Sequence, residues 1–142
     1  MPIYSLGVLT TNVTSANAAW EIRGGTKEFK LIEIGFFINA ATLTTIGLGV
    51  PAAIGVTPTT PVNLLNESGT NDRATNVQSA LAWATGPTVP ANFYRRIALP
   101  ANQGAGVIWQ FPRGLAVASN GSLVLWNILG GAALQAYAVI EE

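Results

Sequence analysis

The chain has 142 residues, of which seven are basic and seven acidic, and it contains no histidine and no cysteine. Charged residues make up 10% of it and sum to zero, against about a quarter in an ordinary soluble domain. This excludes imidazole acid–base chemistry, thiolate nucleophiles, thiolate or imidazole metal sites and a disulfide frame.

The N-terminal Met1-Pro2-Ile3-Tyr4 lacks a basic segment followed by an apolar core, so a chain made and kept in the cytoplasm is expected. Residues 1 to about 25 depart from the alternation seen later and read as an N-terminal arm, with Thr10-Thr11-Asn12-Val13-Thr14-Ser15 as its docking run. The remainder reads as short strands separated by turn signals, the pattern of an all-β sandwich or barrel. In Glu28 to Ala40, residues Ile32, Ile34, Phe36, Ile38 and Ala40 alternate with Glu33, Gly35, Phe37 and Asn39, a period of two that puts Phe37 on the face away from the core. Ile46, Leu48 and Val50 alternate with Thr45, Gly47 and Gly49 after a short connection, which predicts an antiparallel hairpin with the preceding strand.

Three prolines between Pro51 and Pro61 make that stretch a loop covering a sheet edge. Val62 to Glu67 is a further strand candidate, and Ser68-Gly69-Thr70-Asn71-Asp72 a polar turn. Asn76 to Thr85 carries Val77, Ser79, Leu81 and Trp83 on one face if extended; its alanines also suit a short helix, and strand is the preferred reading. Phe93 to Leu99 and Val107 to Phe111 follow as strands, then a short Leu115 to Ala118 segment. Asn120-Gly121 between two apolar runs predicts a hairpin turn, and Leu134 to Ile140 closes the chain with strict alternation. The expectation is one domain, residues 1–142, of eight to ten strands.

No membrane span is expected, because the uncharged runs 34–66 and 114–140 are broken by Gly, Pro and turn residues. The cations at Arg23, Lys27, Lys30, Arg73, Arg95, Arg96 and Arg113 are scattered, which argues against nucleic acid. Zero net charge leaves little protection against self-association, so an oligomer is expected.

The carboxylates Glu21, Glu28, Glu33, Glu67, Asp72, Glu141 and Glu142 give no reason to be paired in a cleft, and Glu141-Glu142 reads as a solvated tail. Gly24-Gly25-Thr26-Lys27 lacks the spacing and context of a phosphate loop and reads as a turn. No catalytic residue, cofactor, metal or small-molecule substrate is therefore assigned. Arg95 and Arg96 are adjacent in a strand, so one guanidinium leans inward or into a subunit contact; the alternative is two rim arginines that snorkel to water. Arg113 stands near a strand boundary, a place for interfacial pairing with carboxylates such as Glu33. These three arginines, with Phe37, are the candidate interface residues. The aromatics Trp20, Trp83, Trp109, Trp126, Tyr94 and Tyr137 are read as core or interface rather than as a sugar-binding platform.

The strand Glu28 to Asn39, the glycine-rich Gly47-Leu48-Gly49-Val50-Pro51 and the stretch from Phe93-Tyr94-Arg95-Arg96-Ile97 through Val107-Ile108-Trp109-Gln110-Phe111 to Ser122-Leu123-Val124-Leu125-Trp126-Asn127 carry a resemblance of pattern. From about residue 28 the chain resembles the head decoration, or cement, proteins of tailed bacteriophages, which have a tumour-necrosis-factor-like jelly roll. The resemblance implies a homotrimer on the outer head surface that binds the major capsid protein lattice and stabilises it. It also implies a virion location after synthesis in the host cytoplasm. The rival expectation is a carbohydrate- or receptor-binding module of a tail fibre or host-attachment structure.

Overall fold

The computed structural model describes residues 2–11, 17–68 and 75–142. Its strands run in chain order β1 (Ile3–Leu9), β2 (Asn17–Arg23), β3 (Phe29–Ile38), β4 (Thr44–Gly49), β5 (Val56–Pro58), β6 (Val62–Asn63), β7 (Leu65–Asn66), β8 (Gln78–Ala80), β9 (Trp83–Thr85), β10 (Arg95–Leu99), β11 (Gly106–Val117), β12 (Ser122–Leu129) and β13 (Leu134–Glu141). No helix occurs among the described residues. The chain is an antiparallel β-sandwich. Asn76 to Thr85 is no single strand: β8 and β9 belong to different sheets with a bend at Leu81 between them, so Trp83 does not continue the face of Val77 and Leu81.

Sheet A has the order β11-β3-β13-β1-β7 and sheet B the order β10-β4-β12-β2-β8-β6. The eight longer strands pair in a nested way: β1 with β13, β2 with β12, β3 with β11 and β4 with β10. Between the sheets lies the main core, which includes Trp20, Phe29, Leu31, Ile34, Phe36, Ile46, Leu48, Leu125 and Ile140. In β13 the alternation is complete, with Leu134, Ala136, Ala138 and Ile140 buried. A one-residue slip would expose Leu134 and Ile140 at about 1.5–3 kcal/mol each, which fixes the register.

Several expectations need correction. The phase in β3 holds from Ile34 to Ile38, but Leu31 and Phe29 are the buried residues before it and Ile32 is only half-buried. The cause is an irregularity where β13 skips from Val139↔Glu33 to Ile140↔Leu31, which places one extra residue, Ile32, in β3. β3 and β4 form no hairpin, because β4 enters the other sheet and pairs with β10 and β12. Asn120-Gly121 does make a tight turn, with Asn120 at φ 57° and Gly121 N donating to Ala118 O at 2.9 Å. It joins β11 of sheet A to β12 of sheet B, so it too is no hairpin. The segments Val107–Phe111 and Leu115–Ala118 belong to one long β11 whose pairing breaks between Gln110 and Leu115, around Pro112 and the positive-φ Gly114.

The N-terminal arm is also not observed. β1 pairs along its whole length with β13, burying Tyr4, and β2 lies between β12 and β8, burying Trp20 and Ile22. Apolar side chains on alternate positions of both segments carry them into the sandwich. Residues 12–15 of the expected docking run, and 69–72 of the polar turn with Arg73, lie outside the described residues.

Pro51 to Pro61 covers a sheet face rather than an edge. β5 and β9 form a two-stranded sheet, and Trp83 and Phe93 pack with Ile128 on Ala18, Val124 and Trp126, which point out of sheet B away from the main core. Gly47 and Gly49 make this possible: a Cβ on Gly47 would stand 2.8 Å from Phe93 Cδ1, and one on Gly49 3.3 Å from Pro90 Cγ. The outer face of sheet B is therefore roofed.

Candidate interaction surfaces

Sheet A has no such roof among the described residues. Its outward positions follow from the pairing: Leu9, Gln135, Phe37 and Gly106 form one row across β1, β13, β3 and β11, and Gly7, Tyr137, Gly35 and Ile108 the next. Ser5, Val139, Glu33 and Gln110 make a third row, with Leu65 of β7 beside Ser5. Leu9, Leu65 and Ile108 are 51%, 65% and 48% exposed, so large apolar side chains face solvent across the width of the sheet.

Two rings lie flat on this face because glycines make room for them. The Tyr137 ring occupies the place of a Gly35 side chain, and the Phe37 ring that of a Gly106 side chain. Tyr137 Oη donates to Glu33 Oε1 at 2.5 Å, and Gln110 Nε2 donates to Glu33 Oε2 at 2.8 Å. These hydrogen bonds, from Tyr137 first and Gln110 second, hold the Glu33 carboxyl below its ordinary pKa. The same bond to Glu33 pushes the Tyr137 phenol up to about 12. Both groups keep their neutral-pH charge states, and the face presents one pinned carboxylate among apolar and amide side chains.

The candidate arginines divide among three environments. In β10, Arg95 pairs with Leu48 and points toward the space between the sheets, whereas Arg96 pairs with Gly47 and points outward. The expected inward guanidinium is thus Arg95. It stays exposed, because β10 and β11 are the last strands of their sheets and leave the sandwich open between them. Its guanidinium lies 5.1 Å from the Phe111 ring centroid, and its Nη1 donates to Tyr94 O at 3.0 Å. Arg96 lies 5.8 Å from the Phe93 ring. Arg113 lines an open cleft with Arg95, Gln110, Phe111, Pro112 and Gly114. Within the chain it makes no ion pair with Glu33, whose two oxygens accept from Tyr137 and Gln110. Phe37 is half-buried on the open face of sheet A, away from this cleft.

Sequence reading missed the most constrained carboxylate. Glu21 of β2 is fully buried on the roofed face of sheet B. Its Oε1 lies 3.0 Å from Arg23 Nε and accepts from Trp83 Nε1 at 3.1 Å, while its Oε2 accepts from Ser122 Oγ at 2.7 Å and from Arg23 Nη2 at 3.2 Å. Arg23 in turn donates through Nη2 to Gly55 O. One charge pair therefore ties the roof segments around Gly55 and Trp83 to β2 and β12. With its oxygens occupied, this carboxylate has no role left for a substrate. Glu142 is likewise not a solvated tail, since its Oε2 accepts from Thr75 Oγ1 at 3.0 Å and Asn76 N at 3.3 Å.

Trp20 and Trp126 are fully buried, and Trp83, Trp109 and Tyr137 are half-buried. Tyr94 is 46% exposed. No group of three or more metal-ligating residues occurs among the described residues. Comparison with known protein families, characterised proteins and solved structures finds no match.

Proposed function

We propose that this protein is a structural virion protein of a tailed bacteriophage, a decoration protein that binds the outer head surface as a homotrimer and stabilises the capsid lattice. The observation that carries the assembly part is the unroofed outer face of sheet A, with Leu9, Leu65, Ile108 and the flattened Phe37 and Tyr137 rings. Flat apolar faces of this kind mark protein–protein contacts. The same molecule roofs its other sheet, so the exposure of this face is selective. The nested strand pairing supports the jelly-roll part, since it is the winding of a long hairpin rolled into two sheets. The virion part is supported by the resemblance of strand pattern and by a composition with no histidine, no cysteine and few charged residues.

The test has two stages. Sedimentation equilibrium at micromolar concentration is expected to give three times the chain mass; a monomer overturns the assembly reading and a dimer or hexamer overturns the trimer. The protein is then expected to co-sediment with expanded heads and to raise the temperature at which they release DNA, because a ligand of the intact lattice stabilises it by mass action. Binding to host envelopes or glycans, with no affinity for heads, overturns decoration in favour of the attachment module.

A further inference from the structure

The mouth of the sandwich between β10 and β11 brings two arginines to one cleft with no carboxylate partner among the described residues. Arg95 and Arg113 line one open cleft of about 360 Å³ with Gln110, Phe111 and Pro112, and neither makes an ion pair among the described residues. Arg95 is held over the Phe111 ring and anchored to Tyr94 O, so its planar fork is already oriented. The nearest carboxylate lining the adjoining hollow is Glu33, and it is occupied by neutral donors. The cleft floor is apolar, made by Phe111 and Pro112. Among the described residues both bordering strands are the last of their sheets and have one edge without a neighbouring strand.

From this juxtaposition we infer that the β10–β11 mouth is a docking site for an acidic peptide segment of a partner protein, with a carboxylate held between Arg95 and Arg113 and an apolar neighbour on Phe111 and Pro112. Charge complementarity chooses an acidic occupant. Guanidinium forks match carboxylates in two-point geometry, and an extended segment gains main-chain hydrogen bonds at an open strand edge. The apolar floor favours a peptide over a free anion, because a bare anion leaves Phe111 and Pro112 uncovered. The site does not depend on the virion reading and holds for any partner that presents such a segment.

The probe is an end-blocked hexapeptide alternating glutamate with valine, titrated into the ¹⁵N-labelled full chain while the arginine Nε–Hε resonances are followed. The Arg95 and Arg113 resonances are expected to move together and the Arg96 resonance to stay. Arg95→Gln and Arg113→Gln are each expected to weaken binding about tenfold, the scale of one charge-assisted contact. Arg96→Gln and Lys27→Gln remove the same charge elsewhere and are expected to change affinity less than about twofold, given how little exposed, unpaired charges contribute. Equal losses in all four variants, or peptide shifts confined to the sheet A face, overturn the site. Inorganic phosphate or acetate producing the same shifts and displacing the peptide at equal concentration overturns the peptide assignment. A second arm guards against misfolding: Arg95→Glu with Arg113→Glu is expected to unfold at the wild-type temperature and to bind a lysine–valine hexapeptide instead.

Discussion

Glu21 and Glu33 are both carboxylates on outward positions of a strand, and their surroundings give them opposite tasks. Glu21 sits beneath the roof with a cation and two neutral donors, so removing it leaves Arg23 without its carboxylate and Trp83 Nε1 and Ser122 Oγ without their acceptor. Glu21→Ala is expected to cost about 3–5 kcal/mol, the scale of breaking a buried pair, read as a lower urea midpoint with unchanged slope. Glu33 faces solvent, and its bond to Tyr137 tunes titration instead. Because the Tyr137 pKa is raised in the folded state, its contribution to stability is complete below pH 10 and is lost as pH rises from there through about 12. The lowered Glu33 contributes above the ordinary carboxyl value of 4.5 and loses that contribution as pH falls through its depressed pKa. Ultraviolet titration is expected to show a phenol ionising near pH 12 that disappears in Tyr137→Phe and moves down toward 10 in Glu33→Gln. The partners of Glu21 explain why this residue was illegible in the sequence: Trp83 lies 62 positions away and Ser122 lies 101. Arg23, two residues on, was the sole local sign.

Among the strands, legibility followed whether one face is buried. Leu134 to Ile140 and Ile34 to Ile38 alternate in sequence because the core lies on one side of sheet A only. β4 and β12 read less simply, since both their faces are covered and the glycines of β4 serve the roof rather than a turn. Turn signals proved reliable about reversal and silent about destination. Asn120-Gly121 reverses the chain as its residues require, yet the next strand enters the opposite sheet, a choice set by what β12 must bury. Asn120 holds φ 57°, so Asn120→Gly is expected to stay within a few tenths of a kcal/mol of wild type, while Asn120→Ala costs about 1 kcal/mol. Thermal unfolding of the pair separates the backbone effect from the lost side chain.

At the scale of the molecule, the two sheets differ in what they show the outside. Sheet B is covered by the chain's own segments, whereas among the described residues nothing covers the outer face of sheet A. If the proposed trimer forms through this face, Leu9→Lys with Ile108→Lys is expected to dissociate it in light scattering while leaving the monomer's melting temperature nearly unchanged, because both side chains are exposed in the single chain. Deleting residues 1–11 tests the N-terminal region in a different way. That deletion removes β1 and the buried Tyr4 from the interior of sheet A, and it is expected to abolish folding rather than to spare the sandwich and weaken only a surface contact. Circular dichroism lacking the strand signal is the expected readout.

The nested pairing also sets a timetable for synthesis. Thr10 Oγ1 accepts from Leu134 N across 124 positions of the chain, and all of β1 waits for β13. At translation rates of about 5–20 residues per second, that interval is about 6–25 seconds. Throughout it the first strand made, with Tyr4, Leu6 and Val8 destined for the core, has no main partner to pair with. A nearly uncharged nascent chain is poorly protected against its neighbours on the same polysome. Slowing elongation late in the message, when most of the chain is exposed and β13 is still missing, is therefore expected to cost more soluble protein than slowing it early.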